Sequence, residues 1–165
     1  MKRTLILVRH GKSSWEEDLP DRERPLAARG LRDAPMMGKR LAKALANHKI
    51  QPDLILSSPA CRALSTARLF ADALAYRGEI VLDERIYASD VRTLLAVIGA
   101  LDDERRCIIL VGHDPEFTEL AHRFSKAITQ MPTCAVARFS FEKASWSAIP
   151  TLAPASVCFD YPKKP

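Results

Sequence analysis

The chain has 165 residues, 47% hydrophobic and 27% charged, which suits one soluble domain, residues 1–165, with a substantial core. Its apolar runs are strand-sized, far below the ~18 residues needed to span a bilayer, and the N-terminal run is too short for a signal peptide. The expected location is therefore cytoplasmic. The net charge of +5 favours anionic partners, but the basic residues are interleaved with acids and form no block, zinc spacing or aromatic–basic platform, so nucleic acid is not the expected partner.

In chain order, Leu5–Val8 reads as a buried strand that runs into Arg9-His10-Gly11. Leu31, Ala34, Leu41, Ala42 and Leu45 recur at helical spacing, with Pro35 expected to kink or restart that helix. Asp53–Ser57 is a second strand. Ser58-Pro59 opens a second helix, with proline at its first position and Leu64, Ala67 and Ala71 on one face. Glu79–Leu82 is a third strand, followed by a helix capped by Asp90 and running through Leu94, Leu95 and Ile98. Cys107–Val111 is a fourth strand, after which His113-Asp114-Pro115 starts a helix with Asp114 as its cap. From Cys134 to about Ile149 the pattern suggests two edge strands, the second around Trp146 and Ile149.

Continuous apolar strands separated by helices call for a largely parallel sheet covered on both faces, a three-layer α/β/α sandwich. Ligands in such sheets bind beyond the carboxyl ends of the strands. Three strand ends carry matching chemistry there: Arg9-His10-Gly11, then Ser57-Ser58-Pro59 with Arg62 in the following first helical turn, then Gly112-His113. Arginine forks and helix N-termini suit phosphate oxygens, and the glycine permits close backbone approach. Neighbouring arginines keep an imidazole neutral and able to attack at pH 7. His10 is the expected nucleophile, forming a phosphohistidine later hydrolysed by water. Arg9, Arg62 and His113 are expected to hold the phosphoryl oxygens.

Other chemistries fit less well. Gly11-Lys12-Ser13 resembles the end of a phosphate-binding loop of nucleotide triphosphatases, but the earlier glycine falls at Ile6. His10, His113 and Asp114 are metal-ligand types, yet the converging arginines repel a divalent cation. Cys61, Cys107, Cys134 and Cys158 are far apart with no C-x-x-C pair, which argues against a disulfide or metal set, and one inside an apolar stretch, such as Cys107, reads as a small core residue.

In these motifs, with Thr66-Ala67 after Arg62, the chain resembles the histidine phosphatase superfamily, which includes phosphoglycerate mutases. Arg9-His10-Gly11-Lys12-Ser13, Arg24-Pro25-Leu26, Arg29-Gly30 and Gly112-His113-Asp114-Pro115 resemble its SixA-type phosphohistidine phosphatases. The resemblance implies a phosphoglycerate mutase-like fold, His10 as nucleophile, Arg9, Arg62 and His113 around the phosphate, and neither metal nor organic cofactor. Arg24 is a further candidate, either reaching the pocket or lying on the surface beside Pro25. Ser13 and Ser14 either donate to phosphate or cap their loop.

Mutase-like members carry a glutamate after the third strand that protonates the leaving oxygen. In Asp83-Glu84-Arg85-Ile86-Tyr87-Ala88, that place falls on Ala88. Glu84 and Asp90 lie close by, with plainer roles as a surface charge and a helix cap. A missing acid harms an alkyl ester more than a phosphohistidine, so the resemblance and the gap both point to an N–P bond in a phosphorylated protein. The short loop from Trp15 to Arg24 predicts an open, shallow pocket without a lid. A small phosphoester or phosphoanhydride substrate, and a phospho-binding module without turnover, are the competing readings. Nothing in the sequence commits the chain to a dimer, and a monomer is expected.

Overall fold

The computed structural model describes residues 2–165. Strand β1 (Arg3–Arg9) is followed by helix α1 (Ala28–Asn47), β2 (Leu54–Ser57) and α2 (Cys61–Ala73). Then come β3 (Ile80–Leu82), α3 (Val91–Gly99), β4 (Cys107–Gly112), α4 (Glu116–Phe124), β5 (Val136–Phe141) and β6 (Ser156–Asp160). The strands form one sheet in the order β3-β2-β4-β1-β5-β6. Neighbours from β3 to β1 are parallel, and β5 is antiparallel to both β1 and β6.

Strand alternation sorts the core into two layers. Ile6 and Val8 of β1, with Ile55, Ile109 and Val111, pack under α1 and α2 against Met37, Leu41 and Phe70. Leu5 and Leu7, with Leu56, Ile108 and Leu110, face α3 and α4 and meet Leu94, Val97, Phe117 and Leu120. A strand buried on both faces needs apolar residues at every position, which is why β1 and β4 read as unbroken runs. The three-layer arrangement is the expected one, with a phosphoglycerate mutase-like order of elements.

Several local expectations are corrected. Pro35 does not break α1, which runs through it for 20 residues. A proline removes the donor that would bond the carbonyl of Leu31, and Leu31 is 55% exposed, so water can take that place. The buried stripe of α1 accordingly passes through Ala34, Met37, Leu41 and Leu45 and leaves Leu31 outside. Pro59 stands before α2 rather than in its first turn, whose capping position is Ala60. Asp114 precedes the cap of α4, which is Pro115, although its carboxylate still accepts from the Thr118 amide at 3.1 Å. Asp90 does cap α3, accepting from the Thr93 amide at 2.8 Å.

The C-terminal expectation fails in two ways. β5 is an interior strand between β1 and β6, and Trp146 and Ile149 lie on no strand. Trp146 is fully buried in a turn, its indole N–H donating to the Arg105 carbonyl at 2.7 Å. Its aromatic bulk is a core plug, not a strand signal. The sixth strand comes later, at Ser156–Asp160.

The topology creates the site. β1 and β4 are adjacent, with Arg9 opposite Gly112. The chain leaving β1 enters α1 on one face of the sheet, and the chain leaving β4 enters α4 on the other. Two loops that part in this way open a crevice at the carboxyl ends of their strands.

Candidate active site

His10 and His113 follow these two adjacent strands directly. The amide of His10 donates to the Gly112 carbonyl at 3.0 Å, and the two imidazole centroids lie 5.1 Å apart. Both residues are buried, at 7% and 6% exposure. β2 adds the third strand end, where the Ser58 amide donates to the Val111 carbonyl at 3.0 Å and Arg62 follows in the first turn of α2. His10, Arg9, Arg62 and His113 therefore occupy neighbouring strand ends, as their positions in the sequence predict.

Hydrogen bonds fix the state of His10. Its Nδ1 lies 2.7 Å from the Gly11 carbonyl oxygen. A carbonyl only accepts, so Nδ1 carries the proton and Nε2 keeps its lone pair. Burial pushes the imidazole down to about 4, with Arg62, Arg9 and Arg24 adding to the effect against the pull of that hydrogen bond. Arginine repulsion, the sole cause expected from sequence, is thus secondary to desolvation. The imidazole is therefore neutral at pH 7, as expected.

His113 is lowered further, to about 3, by burial first and then by His10 and Arg62. Its Nε2 lies 2.7 Å from Ser58 Oγ. That hydroxyl accepts from the Ala60 amide at 3.2 Å, and its own proton has no other acceptor among the described residues than Nε2, to which it donates. His113 then carries its proton on Nδ1, a buried atom that has no partner among the described residues. A buried donor without an acceptor is costly unless something completes it. A phosphoryl oxygen has that chemistry.

Arg9 is braced through one nitrogen. Its Nη1 donates to the Met131 carbonyl at 2.8 Å and pairs with Asp114 at 3.5 Å. Asp114 is in turn held by the Thr118 hydroxyl at 2.8 Å, and that hydroxyl accepts from the Met131 amide at 3.0 Å. Nε of Arg9 is buried and unpartnered among the described residues. The floor is tied to the sheet by Thr66, which is fully buried and accepts from the Gly11 amide at 3.0 Å while donating to the Arg62 carbonyl at 2.7 Å. The freedom of Gly11 serves packing. A side chain there would come within 3.1 Å of Gly30 Cα in α1, and one on Gly30 would meet the Lys12 carbonyl at 2.4 Å.

The loop before α1 reaches further over the site than its length suggests. Residues Asp21–Glu23 form a short 3-10 turn. Arg62 donates through Nη1 to the Asp21 carbonyl at 2.7 Å and through Nη2 to its carboxylate at 3.0 Å. Tyr87 donates its hydroxyl to the same carboxylate oxygen at 2.6 Å, and Arg24 donates to the other oxygen at 3.1 Å. These donors hold the Asp21 carboxyl well below the usual carboxylate range, the Tyr87 bond contributing most. The Tyr87 ring also meets His113 edge-on, with centroids 5.6 Å apart. Asp21 and Tyr87 thus build a rim over Arg62 and His113, where the sequence predicted no cover.

Arg24 is buried against this rim. It donates to the Ser14 carbonyl at 3.2 Å and to the Ser13 hydroxyl, and it stacks on Trp15. It reaches the site, but all three of its nitrogens already donate to the loop. Ser14 Oγ accepts from the Glu16 amide at 3.1 Å, and Ser13 Oγ accepts from Arg24, so both hydroxyls serve the loop. Glu84 is exposed and forked onto Arg22 at 2.8 Å, and Asp90 is occupied as a helix cap. Ala88 follows Tyr87 in a left-handed conformation, φ 49°, and its methyl group can donate no proton.

Residues 5–93 match the histidine phosphatase superfamily (branch 1). The uncharacterised protein Rv1276c of Mycobacterium tuberculosis is 34% identical over 115 residues, covering 69% of this chain and 67% of that protein. The chain belongs to the histidine phosphatase superfamily. Among solved structures, the SixA protein of Agrobacterium tumefaciens superposes with a TM-score of 0.74 at 26% identity, covering 85% of this chain and 92% of the other. The SixA protein of Nakamurella multipartitia superposes at 0.79 over 99% of this chain and 98% of the other, with 20% identity. Within the superfamily, the likeness is to the SixA type.

Proposed function

We propose that this chain is a phosphatase that works through a phosphohistidine on His10, and that its substrate is itself a phosphohistidine carried by a protein. The observation that carries the first part is the hydrogen bond from His10 Nδ1 to Gly11, which leaves a neutral imidazole with its Nε2 lone pair available beside three arginines. In the first step Nε2 attacks phosphorus, and the bond to the leaving atom breaks with its electron pair on that atom. In the second step water attacks the phosphorus of phosphorylated His10, releasing orthophosphate. The Nδ1 proton stays in place throughout, so His10 departs as a neutral imidazole. Arg9, Arg62 and His113 hold the three peripheral oxygens, whose charge dominates the energetics of phosphoryl transfer. Three guanidinium groups at the same spot supply the positive charge that a metal ion brings elsewhere.

The second part is supported by the state of the acids that follow β3 and of the rim carboxylate. Glu84 and Asp90 are occupied, Ala88 is inert, and Asp21 is held as a carboxylate. An alkoxide leaves poorly without a proton. An imidazole protonated on its far nitrogen leaves as a neutral base and needs none. SixA relatives bear the name phosphohistidine phosphatase, which agrees with this reading.

The test is turnover of a histidine-phosphorylated protein with a metal chelator present, together with mass spectrometry of acid-sensitive phosphate trapped on the enzyme. Label on His10, and loss of turnover in His10→Ala, are the expected results. Label on another residue, or undiminished turnover in that variant, would overturn the nucleophile. Faster turnover of alkyl phosphates than of phosphohistidine would favour a small phosphoester as the substrate.

A further inference from the structure

Resting on the phosphohistidine reading above, we infer that Asp21 is the residue that selects and assists the imidazole leaving group, by accepting a hydrogen bond from the far N–H of the substrate's ring. The carboxylate stands on the rim rather than in the floor. It accepts three side-chain donors: Arg62 at 3.0 Å, Tyr87 at 2.6 Å and Arg24 at 3.1 Å. Two carboxylate oxygens offer about four acceptor positions, so one remains. Asp21 is also exposed, its side chain open to solvent at 49%, while Arg24 and Arg62 beneath it are buried. The remaining acceptor belongs to the oxygen that Arg24 meets, on a side chain open to solvent.

A negative charge bonded to a phosphate-binding arginine is otherwise a poor choice. Arg62 spends both terminal nitrogens on Asp21, and the carboxylate repels an incoming phosphoryl dianion. That cost becomes useful when the substrate carries a cation next to its phosphate. A phosphohistidine protonated on its far nitrogen does. Its P–N bond breaks with the electron pair passing to the departing nitrogen, and the positive ring becomes a neutral imidazole that keeps its far N–H. Asp21 bonded to that N–H favours the protonated ring before transfer, so no proton need arrive at the leaving atom. The Gly11 carbonyl does the same for His10, holding the Nδ1 proton while Nε2 carries and then releases phosphate. Two acceptors, one for each imidazole, make the transfer between them nearly symmetrical.

The charged and titratable groups around Asp21 come from each surrounding element: Arg22 and Arg24 from its own loop, Arg62 from α2, Tyr87 with Glu84 beyond it, and His113 from the end of β4. None of the protein's own groups supplies the missing N–H.

The experiment compares the wild-type chain with Asp21→Asn on free phosphohistidine and on p-nitrophenyl phosphate, whose phenolate leaves readily and offers no N–H. The expected result is that the ratio of kcat/KM for phosphohistidine to that for p-nitrophenyl phosphate falls on the order of 10–100-fold in the variant, the size of a charge-assisted hydrogen bond. The alkaline limb of the phosphohistidine profile should also fall at lower pH in the variant, because a neutral amide no longer favours the protonated ring. Equal losses on both substrates would overturn the inference, reducing Asp21 to a support for Arg62. An equal gain on both would overturn it by making Asp21 an occupant that substrate must displace. Absence of phosphohistidine turnover in the wild-type chain, with p-nitrophenyl phosphate still cleaved, would instead defeat the substrate reading itself.

Discussion

His113 leans on Ser58: its Nε2 meets the Ser58 hydroxyl at 2.7 Å, and the pair is enclosed, Ser58 being fully buried. This contact assigns the proton of His113 to Nδ1, the nitrogen proposed to meet the phosphoryl group. Ser58→Ala should therefore misassign the tautomer without removing any phosphate ligand. The expected effect is a fall in kcat of roughly 10–100-fold, with about 1–3 kcal/mol of lost stability from the unpaired imidazole nitrogen. Steady-state kinetics and urea denaturation check both. Unchanged kcat would show that the hydroxyl has no part in orienting His113.

Both imidazoles should be neutral in the free protein well below ordinary histidine. His10 lies near about 4 and His113 near about 3, each driven first by burial. Carbon-bound imidazole proton shifts followed by NMR should show neither ring titrating between pH 8 and pH 5. Saturating inorganic phosphate places a negative charge beside them and should move both midpoints up, which the same spectra read directly. A midpoint close to 6.5 for His10 in the free protein would contradict its buried state.

The same shifts set the acid stability. An unfolded histidine binds a proton near 6.5, whereas the folded His10 and His113 resist it to about 4 and about 3. Between those values the unfolded chain holds more protons, so stability falls as the pH is lowered. The two rings influence each other, and their combined contribution is on the order of a few kcal/mol, complete above about pH 7 and lost progressively toward pH 4. Urea midpoints at pH 7.5 and 4.5 should differ accordingly, and His113→Gln should narrow the gap.

Gly30→Ala should damage a site it never touches. The added methyl group would lie 2.4 Å from the Lys12 carbonyl, a backbone atom with little room to retreat. Overpacking of this kind costs about 1–3 kcal/mol, a loss of roughly 3–10 °C in Tm. The displaced segment follows His10 and Gly11 directly, so kcat/KM should fall as well. Thermal unfolding and turnover of the same preparation provide the check.

The floor of the site was legible in the sequence because its information is local. An apolar run that ends in Arg9-His10-Gly11 announces a strand end, and Arg62 and His113 announce two more in the same way. Parallel pairing, with Arg9 opposite Gly112, then brings them together. The rim was hidden because its contacts join loops without periodicity. Asp21 bonds Arg62 across 41 residues and Tyr87 across 66, and neither loop carries a pattern that predicts its partner. β6 escaped for a different reason: its first residues are exposed at the sheet edge, so burial imposes no alternation on them. Trp146 misled because an aromatic residue in a buried turn looks like one in a strand.

The two imidazoles stand at strand ends, whereas the rim over them is built from two irregular segments anchored at a few points. Residues 13–27 and 83–90 carry neither a strand of the sheet nor one of the long helices. The second segment also plugs the core with Ile86 and the first holds Arg62 through Asp21, so only the exposed positions between these anchors are free to change what can enter. Segment exchanges that keep Leu26, Ile86 and Asp21 in place are then expected to redirect what binds beside His10 without rebuilding the sheet.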